Sequence, residues 1–207
     1  MSEARDVVLG RIREALVDGA PAPDVPRGYT ERGDLERDEV AARFVERVRE
    51  MGGTVVVADD AGAAVAAALV GQGASRVVVA PDLDVALRPT GFELVDDPSL
   101  TPRELDATDG AVTTCAAACA DTGTIALDGG AGQGRRAITL VPDLHVCVVR
   151  LDQVVATVPE LFERLGPAAR AGRPIVLVSG PSATSDIGFE RVEGVHGPRR
   201  LVVVLAP

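Results

Sequence analysis

A chain of 207 residues, 46% hydrophobic and 25% charged, can bury a sizeable core as a globular domain with an N-terminal appendage. All 21 basic residues are Arg; against 31 acidic ones they give a formal charge of −10, and aromatics are only 2%. That balance argues against nucleic-acid binding, and the lack of Lys removes Schiff-base, pyridoxal-phosphate and P-loop lysine chemistry.

The start, Met1-Ser2-Glu3-Ala4-Arg5-Asp6, has no apolar stretch behind it, and no run approaches the roughly 18 apolar residues of a membrane span. A cytoplasmic setting is therefore expected. Val8, Ile12, Ala15 and Leu16 recur at helical spacing over 3–17, and Pro21, Pro23, Pro26 and Gly28 mark 19–33 as an extended linker. This gives a division into an appendage, 1–33, and an α/β domain, 34–207.

Val40, Phe44, Val48 and Met51 share one face of a helix over 35–51 that stops at Gly52-Gly53. Val55–Val57 reads as a buried strand, 61–71 as an Ala-rich helix and Val77–Val79 as a second buried strand, with residues 92–95 as an edge strand. Strand, helix and strand with short links predict parallel pairing in a layered α/β sandwich around a mostly parallel sheet.

Four further segments, Ala111–Cys115, Thr124–Leu127, Ile138–Val141 and Val146–Val149, are strand-like and joined by Gly-rich turns. A helix over 158–171 begins with Thr157 and Glu160 at capping-box spacing and Pro159 in its first turn. Ile175–Val178 and Leu201–Leu205 read as strands buried on both faces.

Cys115, Cys119 and Cys147 are too few for an iron–sulfur cluster, which takes four Cys ligands, and their odd number argues against a disulfide framework. Cys115 and Cys119 suit core packing better than a metal pair, so no metal site is expected.

The richest polar stretch is Ser179-Gly180-Pro181-Ser182-Ala183-Thr184-Ser185-Asp186, leaving the predicted strand 175–178 at its C-terminal end. Ligands of open α/β sheets commonly bind at such ends. Asp186 either caps a short helix at Ile187 or orients substrate or His196. His196, between Gly194 and Gly197-Pro198, is a candidate acid/base or ligand donor, or else a solvated turn residue. His145 reads as a strand-entry residue.

The run Gly129-Gly130-Ala131-Gly132-Gln133-Gly134-Arg135-Arg136 fits neither the dinucleotide nor the P-loop pattern. It reads either as a backbone cradle for an anion, with Arg135 or Arg136 adding charge, or as a flexible turn.

Taken with Asp121-Thr122-Gly123-Thr124, these blocks over 110–207 resemble the lactate-utilisation protein C family, also called LUD-domain proteins. The resemblance implies a fold similar to the sugar-phosphate isomerase and coenzyme-A transferase group. It also implies an accessory or substrate-binding role in oxidising L-lactate to pyruvate, with iron–sulfur clusters on Cys-rich partner proteins and no cofactor on this chain. Two departures stand out: Asp121 where Glu is expected, and Cys115-Ala116 where Ala-Asp is expected.

The reading therefore gathers Asp186 and His196 as catalytic candidates. Asp121, Thr122, Gly129, Gly130, Gly132, Gln133, Gly134, Arg135, Ser179, Gly180, Ser182 and Thr184 would line one shared pocket for a small carboxylate or phosphate. The alternative is a stand-alone enzyme acting on a phosphorylated, carboxylated or coenzyme-A-linked molecule.

Overall fold

The computed structural model describes residues 3–17, 24–97, 99–184, 192–194 and 196–207. Helix α1 (Glu3–Leu16) is the first described element, residues 24–36 are irregular, and helix α2 (Arg37–Glu50) opens the α/β body. Val40, Phe44 and Val48 of α2 face inward, and a reciprocal Glu36–Glu39 capping box closes its first turn. The chain leaves α2 through Gly52 at φ 88°.

Six strands form a wholly parallel sheet: β1 (Thr54–Val57), β2 (Arg76–Val79), β3 (Glu93–Asp96), β4 (Gly110–Thr114), β7 (Leu144–Arg150) and β12 (Arg200–Ala206). Their order is β1-β12-β7-β4-β2-β3, so β3 is an edge strand as its position in the sequence predicts. Helix α3 (Ala61–Gly71) crosses from β1 to β2, starting from Asp60, whose carboxylate accepts the Ala63 amide at 3.0 Å.

A second sheet holds β5 (Ala117–Cys119), β6 (Thr124–Leu127), β8 (Val154–Val155) and β9 (Val176–Val178), in the order β8-β5-β6-β9. Side-chain alternation with period 2 assigns its two faces. Ala118, Ile125, Leu127 and Val154 pack with α2 on the large sheet, beside Val203 and Leu205. Ala117, Cys119, Ala126 and Val155 pack on Leu161 and Leu165 of α5 (Val158–Arg170). On the far face of the large sheet, α3 contributes Ala64, Val65 and Leu69 against Val77, Val112, Val146 and Val202. The layers run α3, parallel sheet, α2 with the second sheet, then α5. A short helix α4 (Pro102–Asp106) and the hairpin β10 (Ala183–Thr184) with β11 (Val192–Glu193) complete the described elements.

Three expectations are corrected. Val55–Val57 is not a fully buried strand: β1 is an edge of the parallel sheet, where Val55 is buried but Val57 is 64% exposed. Ile138–Val141 is no strand: Arg136–Thr139 forms a 3-10 turn, closed by the Arg136 guanidinium donating to the Thr139 carbonyl at 3.2 Å. Ile138 is buried there against Val78, Leu105 and Ala111. The strand at 176–178 is not doubly buried. It is the edge of the second sheet, with Leu177 46% exposed, because only its Val176 and Val178 face the core. β5 carries no strong sequence signal, whereas α4 opens with Thr101-Pro102-Arg103-Glu104, the capping-box and Pro pattern that also starts α5 and that the sequence reading left unused.

Candidate functional site

Seven of the expected site residues line two pockets at opposite strand ends of the parallel sheet, and the others lie outside both. Antiparallel pairing of β6 with β9 sets Thr124 beside Ser179, whose hydroxyls meet at 2.7 Å, and Thr122 Oγ1 lies 2.7 Å from Thr124 Oγ1. From Ser179 the chain turns through Gly180 at φ 83°, where an added Cβ would press on the Met51 carbonyl. Ser182 then ties the two polar loops together. Its amide donates to the Pro198 carbonyl at 2.8 Å, its Oγ accepts the His196 amide at 3.0 Å, and its carbonyl accepts the Gly194 amide at 2.9 Å.

This clamp forms a pocket of about 230 Å3 at the amino-terminal ends of β7 and β12, lined by Ser179, Gly180, Ser182, His196, His145, Arg136 and Thr139 among others. Arg136 is its charge. The guanidinium donates to Thr139 Oγ1 at 3.1 Å, and burial alone lowers its pKa. Among the described residues no carboxylate pairs with it. A partly desolvated cation beside hydroxyls and imidazoles favours an anion that restores the lost counter-charge.

His145 forms the floor. It is buried, and its Nε2 lies 2.8 Å from Thr113 Oγ1 on the adjacent strand. Behind it, on the same face of β7, the pKa of the buried Cys147 thiol is lowered to about 5, chiefly by the neighbouring Cys115, with His145 and Thr113 adding to this against burial. Cys115 is pushed well up by its neighbour Cys147 and by its burial. Cys115 continues the polar thread to Gln153, whose Oε1 is 3.6 Å from its Sγ.

Gln153 and Cys115 line the second pocket, about 740 Å3, at the carboxyl-terminal ends of β4, β7 and β12. Gly130, Gly132 and Gln133 form one wall, and Arg150, Arg164, Asp82, Asp84 and Asp128 supply its charges. The Gly-rich turn is tightly built. Gln133 Oε1 accepts the amides of Asp128 at 2.8 Å and Gly129 at 3.2 Å, Asp128 Oδ1 accepts that of Gly130 at 3.0 Å, and Thr114 donates to the Ala131 carbonyl at 2.7 Å. The glycines serve close approach: Gly132 has φ 70°, and a Cβ there would meet Thr114 Oγ1 at 2.9 Å.

The structure thus separates Gly130, Gly132 and Gln133 from Ser179, Gly180, Ser182 and His196, which the sequence reading had placed in one pocket. The cause is that Ser179 follows a strand of the small sheet whose end meets the amino-terminal strand ends of the large one. Gly129, Gly134 and Arg135 lie between, around a cavity of about 30 Å3 that also touches Arg136. Arg135 is bound at 2.7 Å through two nitrogens to Asp97, whose carboxylate is fully buried. Asp121 sits outside both pockets, paired at 3.0 Å with Arg43 of α2. Thr184 is in β10, paired with Val192; Asp186 lies outside the described residues.

Sequence reasoning did not foresee Thr113 as the partner of His145, nor Thr139. A polar side chain at an inward position of an apolar strand, as in Leu144-His145-Val146, requires a buried partner, and that was the available signal. No group of three His, Cys, Asp or Glu among the described residues is arranged to hold a metal ion.

Residues 99–206 match the family model described as the LUD domain. The chain is 42% identical over 207 residues to a Deinococcus radiodurans protein named lactate utilization protein C, covering 99% of this chain and 96% of that one. A Bacillus pumilus protein of the same name is 38% identical over 93 residues, 42% of this chain and 37% of the relative. A solved structure of a DUF162 family protein from Deinococcus radiodurans superposes with a TM-score of 0.73 at 40% identity, covering 84% of this chain and 99% of that chain.

Proposed function

The chain belongs to the LUD-domain family, and from that premise we propose that it serves lactate utilisation as an accessory or substrate-binding component. In this reading it works in the cytoplasm, in a system oxidising L-lactate to pyruvate. Its partners are Cys-rich proteins that carry the iron–sulfur clusters, since three cysteines fall short of the usual four ligands. The names of the relatives support the pathway.

The observation that carries the ligand class is Arg136. A carboxylate docked on its guanidinium would pair a charge that has no carboxylate partner among the described residues, and the hydroxyls of Ser179, Ser182 and Thr139 with the imidazole of His145 surround the place left for the 2-hydroxyl or 2-oxo group. A pocket of about 230 Å3 suits a three-carbon acid. His196, at the rim, adds a second imidazole for proton exchange or hydrogen bonding.

Growth tests this. A strain lacking the gene fails on L-lactate as sole carbon source, the wild-type gene restores growth, and Arg136→Gln does not at equal protein level. Unimpaired growth of the deletion strain contradicts the reading.

A second reading keeps a specific observation behind it. The pocket of about 740 Å3 at the carboxyl-terminal strand ends, with Arg150 and Arg164, has room for a larger phosphorylated, carboxylated or coenzyme-A-linked molecule. Turnover of such a compound by the purified protein, lost in Arg164→Ala, supports it as a stand-alone enzyme.

A further inference from the structure

Two apolar surfaces have no partner among the described residues. One is the face of α1 formed by Val8, Ile12 and Leu16, spaced by four residues and 55%, 49% and 67% exposed. A Cβ added at Gly10 would meet nothing within 4 Å, so the helix touches nothing on that side either. An isolated 14-residue helix is marginal in water, and its stability depends on burying such a face.

The other is a groove of about 860 Å3 between α2 and the strand ends of the parallel sheet. Ala41, Ala42, Val45, Val57, Leu151 and Leu205 form its floor, and its rim carries Asp38, Glu46 and Glu50 together with Arg37 and Arg49. β1 is the outer strand of the sheet here, and its Val57 is 64% exposed.

We propose that this groove is the docking site of the chain's own α1. The apolar stripe meets the apolar floor, and α1 brings Arg5, Arg11 and Arg13 with Glu3, Asp6 and Glu14 to a rim of the same mixed sign. The tether has the reach. Thr157 Oγ1 bonds the Glu31 carbonyl at 3.1 Å and Arg32 pairs with Glu163 at 2.9 Å, which anchors the chain just before α2. From that anchor, residues 17–30 span up to about 46 Å when extended. Arg37, which lines the groove, is only a few residues beyond the anchor. A short tether raises the effective concentration of α1 at the groove to about millimolar, which favours the chain's own helix over that of a second copy.

Docked there, α1 would lie against Leu151, next to Arg150 of the larger pocket, and would wall that edge of it. This inference is independent of the lactate assignment.

Cysteine trapping in the full chain tests it. Ile12→Cys combined with Ala42→Cys, both exposed positions, is predicted to form a disulfide within one monomer under mild oxidation, mapped by peptide mass spectrometry, while either single variant does not. Disulfide-linked dimers, or no link, overturn the proposal. Hydrogen exchange gives a second readout: Ile12→Asp is expected to speed exchange in α1 more than tenfold and to unprotect the exposed side of α2. Unchanged exchange in both contradicts the docking.

Discussion

Thr113 Oγ1 and His145 Nε2 meet at 2.8 Å, both buried on neighbouring parallel strands. The register places Ala111 opposite His145 and Thr113 opposite Cys147, so the hydroxyl reaches the imidazole diagonally across the β4–β7 ladder. The bond fixes the ring at the floor of the smaller pocket and satisfies a polar group that would otherwise be unpaired in the core. Thr113→Val keeps the shape and removes the hydroxyl. The variant is expected to lose about 1–3 kcal/mol of stability through the unpaired imidazole, measured by urea denaturation, and to bind the small acid more weakly. Thr113→Ser is expected to restore both.

The adjacent arginines divide their work. Arg135 is committed to Asp97, whose buried carboxylate depends on it. Arg135→Ala is therefore expected to destabilise the fold by about 3–5 kcal/mol, with carboxylate affinity of the folded protein unchanged. Removing both side chains in Asp97→Ala/Arg135→Ala should cost less than Arg135→Ala alone. A denaturation series on the three variants checks this.

Asp109 holds the entrance of β2 and gives an acid-dependent term. The amides of Arg76 at 2.8 Å and Ser75 at 2.7 Å, with the Ser75 hydroxyl, keep its carboxylate below the usual carboxylate pKa. A depressed folded value means stability that is present above the unfolded pKa of about 3.9 and is lost as pH falls through the lowered folded value. Asp109→Asn should cost less than about 1 kcal/mol at neutral pH, because solvent screens the partly exposed carboxylate. The gap to wild type should close as the pH drops below about 4, in denaturation curves taken across that range.

Gly123, with φ 61°, lets the Asp121–Thr124 turn rest on α2; an added Cβ would come 2.7 Å from the Val48 amide nitrogen. Gly123→Ala combines an unfavourable backbone conformation with that clash and should cost about 1–3 kcal/mol, read as a lowered Tm. The same turn carries Thr122 and Thr124, so the hydroxyl chain to Ser179 should loosen with it.

Much of the fold was legible because β-branched runs such as Val77–Val79 and Leu201–Leu205 fit only buried strands, and Val40, Phe44 and Val48 only a helix. The Thr157–Glu160 box marked the start of α5. What periodicity does not carry is which edge of which sheet a strand reaches. Ser179 and Gly130 both follow strands of the second sheet, yet they leave it toward opposite strand ends of the parallel sheet, because β9 runs antiparallel to β6. The roles of the two arginines were equally hidden: Arg135 and Arg136 are neighbours in sequence, but only the fold brings Asp97 to the first and leaves Thr139 to the second. Ile138–Val141 had a strand's composition but closes on itself as a turn through those same side chains.

The central claim is that Arg136 holds the carboxylate of a small 2-hydroxy or 2-oxo acid. Calorimetric titration of the purified protein with L-lactate and with pyruvate tests it most directly. Saturable binding by wild type is expected, weakened at least tenfold in Arg136→Gln with the fold intact by circular dichroism. No binding of either acid by wild type, or equal affinity in Arg136→Gln, would contradict it.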